Sequence, residues 1–164
     1  MKILIASFTS SEIKELEHSG ILEHIDLLSI NKDEARVFSG LTKDDKTSRI
    51  VEECVEKLQK FNPNIKLAVT NGAKGVYVYE NGRMDFMSAY PVNPVNTAGA
   101  GDAFLAGLII GIINGRSISG DIGDSCLRYA TALSSMSVTS KDTIHFGITS
   151  DSLLEFISIR DNNI

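Results

Sequence analysis

The residues best suited to chemistry lie in one short run, Asn96-Thr97-Ala98-Gly99-Ala100-Gly101-Asp102, which leads from Val92-Asn93-Pro94-Val95 into an apolar stretch with helical character. Glycine and alanine leave backbone N–H groups unobstructed. The first-turn donors of a helix have no internal partner, so a helix start built this way suits an anion. A phosphoryl group in transfer is such an anion. Asp102 sits where these donors begin, and the helix macrodipole there favours an ionised carboxylate. A kinase needs that pairing: a carboxylate to take the proton of an acceptor hydroxyl, and fixed donors to offset charge on the phosphoryl oxygens. Taken alone, the run fits a plain helix cap with glycines for close packing equally well.

Two other phosphate motifs fail on spacing. Gly99-x-Gly101 lacks the third glycine of a dinucleotide fingerprint and has Phe104 instead, and an aspartate directly after the second glycine would repel a pyrophosphate seated there. A Walker-type loop is excluded because no Gly-Lys-Ser/Thr follows.

Asn96-Thr97-Ala98-Gly99-Ala100-Gly101-Asp102-Ala103-Phe104, followed by Gly107, resembles the C-terminal motif of the ribokinase/PfkB carbohydrate-kinase family. Two weaker elements fall upstream in the family's order. Asn31-Lys32-Asp33-Glu34 resembles its Asn-x-x-Glu motif, and Thr70-Asn71-Gly72-Ala73-Lys74-Gly75 resembles its Thr-x-Gly-x-x-Gly nucleotide loop. The similarity runs over essentially the whole chain but over only the second half of a full-length family member.

The resemblance implies a ribokinase-like three-layer α/β/α fold with a mainly parallel sheet, present as its C-terminal portion without the lid and the N-terminal substrate half. It implies ATP- and Mg2+-dependent phosphotransfer to a hydroxyl of a small sugar or nucleoside, with Asp102 as base and the backbone of Gly99, Ala100 and Gly101 as anion hole. It sets Glu34 to organise magnesium, Asn31 near the triphosphate, Thr70, Gly72 and Gly75 beside the phosphates and ribose, and Thr131 near adenine. Read by themselves, Asn31 and Glu34 suit a capping box, Thr70 to Gly75 an ordinary glycine turn, and Thr131 a helix-surface hydroxyl.

One departure concerns Asn96, where many family members carry aspartate. In the family this region borders a monovalent-cation site, to which an asparagine brings an oxygen ligand but no charge. An asparagine before a Thr-containing Gly-Ala-Gly-Asp motif is also similar to the pseudouridine kinases of the superfamily. The larger departure is the absence of the glycine-rich sugar-binding motifs, which in the family precede the point where this sequence begins. Without them the acceptor hydroxyl is unpositioned, so the 164 residues are expected to bind nucleotide weakly and to phosphorylate nothing efficiently. A catalytically incomplete nucleotide-binding or interaction module is the second reading. Loss of half a fold also predicts an exposed sheet edge or apolar face that favours self-association or association with another chain.

The elements that must position these residues alternate between strand and helix. An apolar N-terminal strand from Met1 precedes Thr9-Ser10-Ser11-Glu12, a capping-box pattern opening a helix to about Gly20. Ile25 to Ile30 suits a buried strand, and Asn31 to Ser39 a helix closed by Gly40. Ile50, Val51, Cys54, Val55 and Leu58 recur at three- and four-residue spacing, one apolar face of a helix between Asp45 and Phe61. Leu67 to Thr70 is the next strand, and Asn81-Gly82 closes a type I′ hairpin between Gly75–Glu80 and Arg83–Ala89. Helices follow from Gly101 to Asn114, from Leu127 to Val138 and from Asp151 to Arg160. This rhythm predicts an α/β fold.

With 43% hydrophobic residues and no long polar run, the chain suits one domain over 1–164 with a sizeable core. A net charge of -5 with interspersed signs provides no basic stripe for a nucleic-acid backbone. Cys54 and Cys126 show no zinc or disulfide spacing, which points to a reducing cytoplasm. The longest apolar run, Ala103 to Ile113, falls far short of the ~20 residues a bilayer requires and reads as a buried helix. The apolar stretch at the N-terminus stops at Ser7, too short for a signal-peptide core. His18, His24 and His145 lack metal-ligand spacing.

Overall fold

The computed structural model describes residues 2–120 and 125–161. Met1, where the first strand was expected to start, lies outside them. The strands are β1 (Ile5–Ala6), β2 (Leu27–Asn31), β3 (Lys66–Thr70), β4 (Val76–Glu80) and β5 (Arg83–Met87). The helices are α1 (Lys32–Ser39), α2 (Thr47–Leu58), α3 (Ala100–Ile113), α4 (Cys126–Ser137) and α5 (Ser150–Asp161). The strands form one sheet in the order β1-β2-β3-β4-β5. β1 and β2 pair in parallel, as do β2 and β3, and the two-residue link Asn81-Gly82 makes β4 and β5 an antiparallel hairpin. Asn81 has φ 52° and Gly82 φ 82°, the left-handed values a type I′ turn demands.

The chain divides into two compact units. The first holds residues 2–71 and 77–86. In β2 the four residues Leu27 to Ile30 are all buried, as befits a parallel strand covered on both faces. The spacing of Ile50, Val51, Cys54, Val55 and Leu58 does what it predicts: all five are buried on α2, in one cluster with Leu28, Ile30, Leu67 and Val69 of the sheet. Cys54 donates from Sγ to the Ala35 carbonyl at 3.2 Å, which ties α2 to α1. Burial pushes the Cys54 thiol up to about 12. Glu80 is buried at the end of β4 and carries a 2.7 Å ion pair with Lys66 of β3.

The expected helix from Thr9 to Gly20 is instead two short 3-10 turns, Glu12–Lys14 and Leu16–His18. Thr9 and Glu12 do meet, because the Thr9 N–H and hydroxyl both donate to Glu12 Oε2 at 2.8 and 2.7 Å. The reciprocal half of the box is missing, since no side chain caps the turn that follows. Only Ile13 and Leu16 of the segment are buried, and two apolar anchors three residues apart suit a 3-10 turn as well as an α-helix.

The second unit holds Gly72–Val76 and residues 87–120 and 125–161. Its centre is the packing of α3 on α4. A Cβ at Gly107 would stand 2.4 Å from the Ala130 Cα, and one at Gly111 2.7 Å from the Cys126 Cβ, so glycine allows the two backbones to approach this closely. α3 is not buried all round, contrary to expectation. Phe104, Gly107, Leu108 and Gly111 are covered, whereas Ile110 and Ile113 are 47% and 78% exposed. Apolar composition fixed the helix but could not say how many of its sides find a neighbour. At the far end of the unit, the Tyr90 hydroxyl donates to Asp161 Oδ1 at 3.0 Å and Arg128 pairs with the same carboxylate. Cys54 and Cys126 are both buried, and they form no disulfide with each other. No described helix is long and apolar enough to cross a membrane.

Candidate functional site

Gly99 is the N-cap of α3, with φ 80° and ψ −3°. That left-handed conformation is cheap only for glycine. Space imposes the same choice, because a Cβ there would lie 2.5 Å from the Thr143 carbonyl oxygen. The first bond of the helix runs from the Ala103 N–H to the Gly99 carbonyl at 2.9 Å. The Ala100 N–H makes a long 3.3 Å bond to the Thr97 carbonyl. Among the described residues, the N–H groups of Gly99, Gly101 and Asp102 have no acceptor. Nothing lies within 4 Å of the position a Gly101 Cβ would take, so the turn is open on that side. The turn is therefore a set of unsatisfied donors at a helix start, as an anion site requires.

Asp102 occupies the first turn of α3. It is exposed and has neither a hydrogen-bond partner nor an ion pair among the described residues. A capping carboxylate would accept from a nearby backbone N–H, and this one does not, so the plain cap reading of Asp102 fails. Its lone pairs are available to an incoming hydroxyl.

What holds the turn was not legible in the motif. The Val95 and Asn96 N–H groups both donate to the Val138 carbonyl, at 2.7 and 3.1 Å. The Asn96 side chain accepts from the Ala98 N–H at 3.0 Å through Oδ1 and donates to the Lys141 carbonyl at 3.0 Å through Nδ2. Ser134 of α4 donates its hydroxyl to the Ala100 carbonyl at 2.9 Å. Val138, Lys141 and Thr143 contribute backbone atoms, which leave no trace in side-chain identity. Ser134 was the one member with a readable signal, a hydroxyl on the helix after the motif.

In the first unit, Asn31 and Thr70 end the adjacent parallel strands β2 and β3 and are directly paired in register. The carboxyl ends of parallel strands are where open α/β sheets bind ligands. Asn31 and Glu34 form a complete capping box: Asn31 Oδ1 accepts from the Glu34 N–H at 2.9 Å and Glu34 Oε2 accepts from the Asn31 N–H at 2.8 Å. The box engages one oxygen of each side chain, leaving Glu34 Oε1 and the Asn31 Nδ2 group uncommitted among the described residues. Gly72, in the second unit, opens a 3-10 turn over Gly72–Lys74 and accepts from the Gly75 N–H at 3.2 Å. Gly75 has φ 121°, and a Cβ there would meet the Met87 carbonyl at 2.1 Å.

Thr131 is not a helix-surface hydroxyl. It is 4% exposed within α4, and its Oγ1 is buried without a partner among the described residues. A sealed hydroxyl reaches a base only if the layer around it opens. Among the described residues no group of three or more His, Cys, Asp or Glu side chains could hold a metal. Magnesium at ATP sites is commonly shared by one or two carboxylates and the substrate's phosphates, so such an ion does not require a group of three. A separate cleft of about 540 Å³ is lined by Pro91, Val92, Asn93, Met136, Thr139, Phe156 and Arg160. It includes none of the residues assigned to phosphotransfer.

The model of the pfkB family of carbohydrate kinases matches residues 1–150. The chain belongs to this family. It is 27% identical to a ribokinase of Haemophilus influenzae over 137 residues, 84% of this chain and 42% of that protein. It is 36% identical to a fructokinase of Escherichia coli over 91 residues, 56% of this chain and 27% of that one. Among solved structures, Arabidopsis thaliana ribokinase complexed with ribose and ATP superposes with a TM-score of 0.71 at 22% identity, over 94% of this chain and 55% of that one. A fructokinase double mutant from Vibrio cholerae, with fructose, ADP and potassium bound, also scores 0.71 at 22% identity, over 88% and 45%. The fold is ribokinase-like α/β, and the chain spans less than half the length of the ribokinase and fructokinase relatives cited.

Proposed function

We propose that this chain is the nucleotide-binding and base-bearing part of an ATP-dependent kinase for a hydroxyl of a small sugar or nucleoside. The single observation that carries the reading is the start of α3, where the unsatisfied N–H groups of Gly99, Gly101 and Asp102 adjoin an unpartnered Asp102 carboxylate. In the transfer, Asp102 takes the proton of the acceptor hydroxyl as its oxygen bonds to the γ-phosphorus, and the bond from that phosphorus to the bridging oxygen of ADP breaks. The Gly99 and Gly101 N–H groups donate to the phosphoryl oxygens, whose charge must be offset during transfer, and the Ala100 N–H joins them by giving up its long bond to the Thr97 carbonyl. Bound magnesium would neutralise charge on the nucleotide phosphates, with Glu34 its indirect support through the uncommitted Oε1. The carboxyl ends of β2 and β3 suit Asn31 and Thr70 to the polar nucleotide contacts that the family resemblance gives them. Gly72 and Gly75 shape the loop that follows.

The test is calorimetric titration of the purified chain with Mg·ATP, alongside turnover of a sugar and nucleoside panel. Binding of ATP, absence of NAD binding and turnover far below that of full-length relatives are expected. Failure to bind ATP overturns the proposal, and efficient Asp102-dependent turnover by these residues alone overturns the expectation that acceptor positioning lies outside them.

The exposure of Ile110 and Ile113 favours a second reading, an association module whose α3 face is covered by another polypeptide. A chain that remains monomeric at high concentration in sedimentation equilibrium contradicts self-association through that face.

A further inference from the structure

The family resemblance places Asn96 beside a monovalent-cation site, and the hydrogen bonds around Asn96 do not fit such an ion. A hard cation is held by converging oxygen lone pairs. Here one lone pair of the Asn96 oxygen is taken by the Ala98 N–H at 3.0 Å, and the group facing the Lys141 carbonyl at 3.0 Å, where a cation would need an oxygen, is the amide nitrogen. An amide nitrogen offers protons and no lone pair to a metal. Flipping the amide would set its NH2 against the Ala98 N–H and its oxygen against the Lys141 oxygen, two like pairs in place of two hydrogen bonds. The two neighbours thus fix the orientation together.

We propose that the Asn96 carboxamide stands in for a monovalent cation, linking the 96–102 turn to the segment 138–143 by an N–H donor. A carboxylate at this position would turn a second oxygen toward the Lys141 carbonyl, and a positive ion between the two oxygens would relieve the repulsion. The asparagine removes that need. The link bears on the anion site because the Thr143 carbonyl, two residues beyond Lys141, lies against Gly99, with only 2.5 Å to the position of an added Cβ. Asn96 is therefore a positioning residue for the donors of the turn, and the turn keeps its shape without potassium.

The inference rests on the phosphotransfer reading for its functional meaning, and a nucleotide-free measurement keeps the two apart. Exchange of the hydrogen-bonded amides within residues 96–103 and 138–143, Asn96, Ala98, Ala100 and Ala103 among them, is compared in potassium chloride and tetramethylammonium chloride at equal ionic strength. The unsubstituted chain is expected to exchange at the same rates in both salts. Asn96→Ala is expected to exchange about tenfold faster in this region in both salts, in keeping with the loss of a hydrogen bond. Asn96→Asp is expected to exchange faster in tetramethylammonium and to recover in potassium, a response that a merely structural side chain would not acquire. Slower exchange of the unsubstituted chain in potassium overturns the proposal, and so does an Asn96→Asp chain indifferent to the salt. Loss of ATP binding in every salt would instead overturn the kinase reading and leave the exchange result standing.

Discussion

Helices α2 and α3 show two ways of using apolar residues. On α2, five apolar side chains fall on one face and all five are buried, while Arg49, Glu52 and Glu56 lie toward solvent. On α3, apolar residues occur all round, yet among the described residues the covered side is the one packed on α4, and Ile110 and Ile113 stand exposed. Patterned helices carry the address of their own packing. An unpatterned one does not, because every side is equally fit for burial and only the presence of neighbours decides. The candidate phosphotransfer turn is mounted on the second kind of helix.

The most severe break in this contrast comes from core truncation. Leu67→Ala, at a fully buried position of β3, is expected to cost about 3 to 4 kcal/mol in urea unfolding. Ile113→Ala should change stability by less than about 0.5 kcal/mol. Equal losses at the two sites would erase the difference between the regions. Gly99→Ala comes next, at about 2 kcal/mol for the left-handed backbone and the crowded Thr143 carbonyl, read by thermal unfolding and accompanied by weaker ATP binding. Asn31→Ala removes the capping box of α1 and is expected to cost about 1 kcal/mol, with a loss of nucleotide affinity smaller than the one Gly99→Ala brings.

The gentlest probe is pH. The Cys54 thiol, pushed up to about 12 chiefly by burial, stays protonated in the folded chain after an unfolded thiol has ionised. The unfolded state then binds fewer protons, so stability falls as pH rises above the ordinary thiol value of 9.0. Cys54→Ala should flatten that fall, and native Cys54 should resist alkylation at pH 8. Rapid alkylation there would show that the first unit opens far more readily than its sealed core implies.

Much of the architecture was legible because local rules and burial agreed. The period of α2, the Asn-Gly hairpin and the Asn31–Glu34 cap each follow from residue types at fixed spacing. The 3-10 turns at Glu12–Lys14 and Leu16–His18 were misread because a capping pattern was not followed by enough apolar anchors to sustain an α-helix. At the site, side chains with a motif were visible, while the segment that braces them was not. Val138, Lys141 and Thr143 act through carbonyl oxygens that every residue possesses, so only the fold reveals them. Thr131 shows the converse, a readable hydroxyl whose burial a sequence does not disclose.

The most direct test of the central claim is a titration of the 15N-labelled chain with Mg·ATP, followed amide by amide in NMR spectra. The account predicts that the largest shifts fall on Gly99, Gly101 and Asp102, the donors left without acceptors at the start of α3, and that NAD leaves them in place. Shifts confined to other amides, or no shifts at millimolar nucleotide, would contradict it.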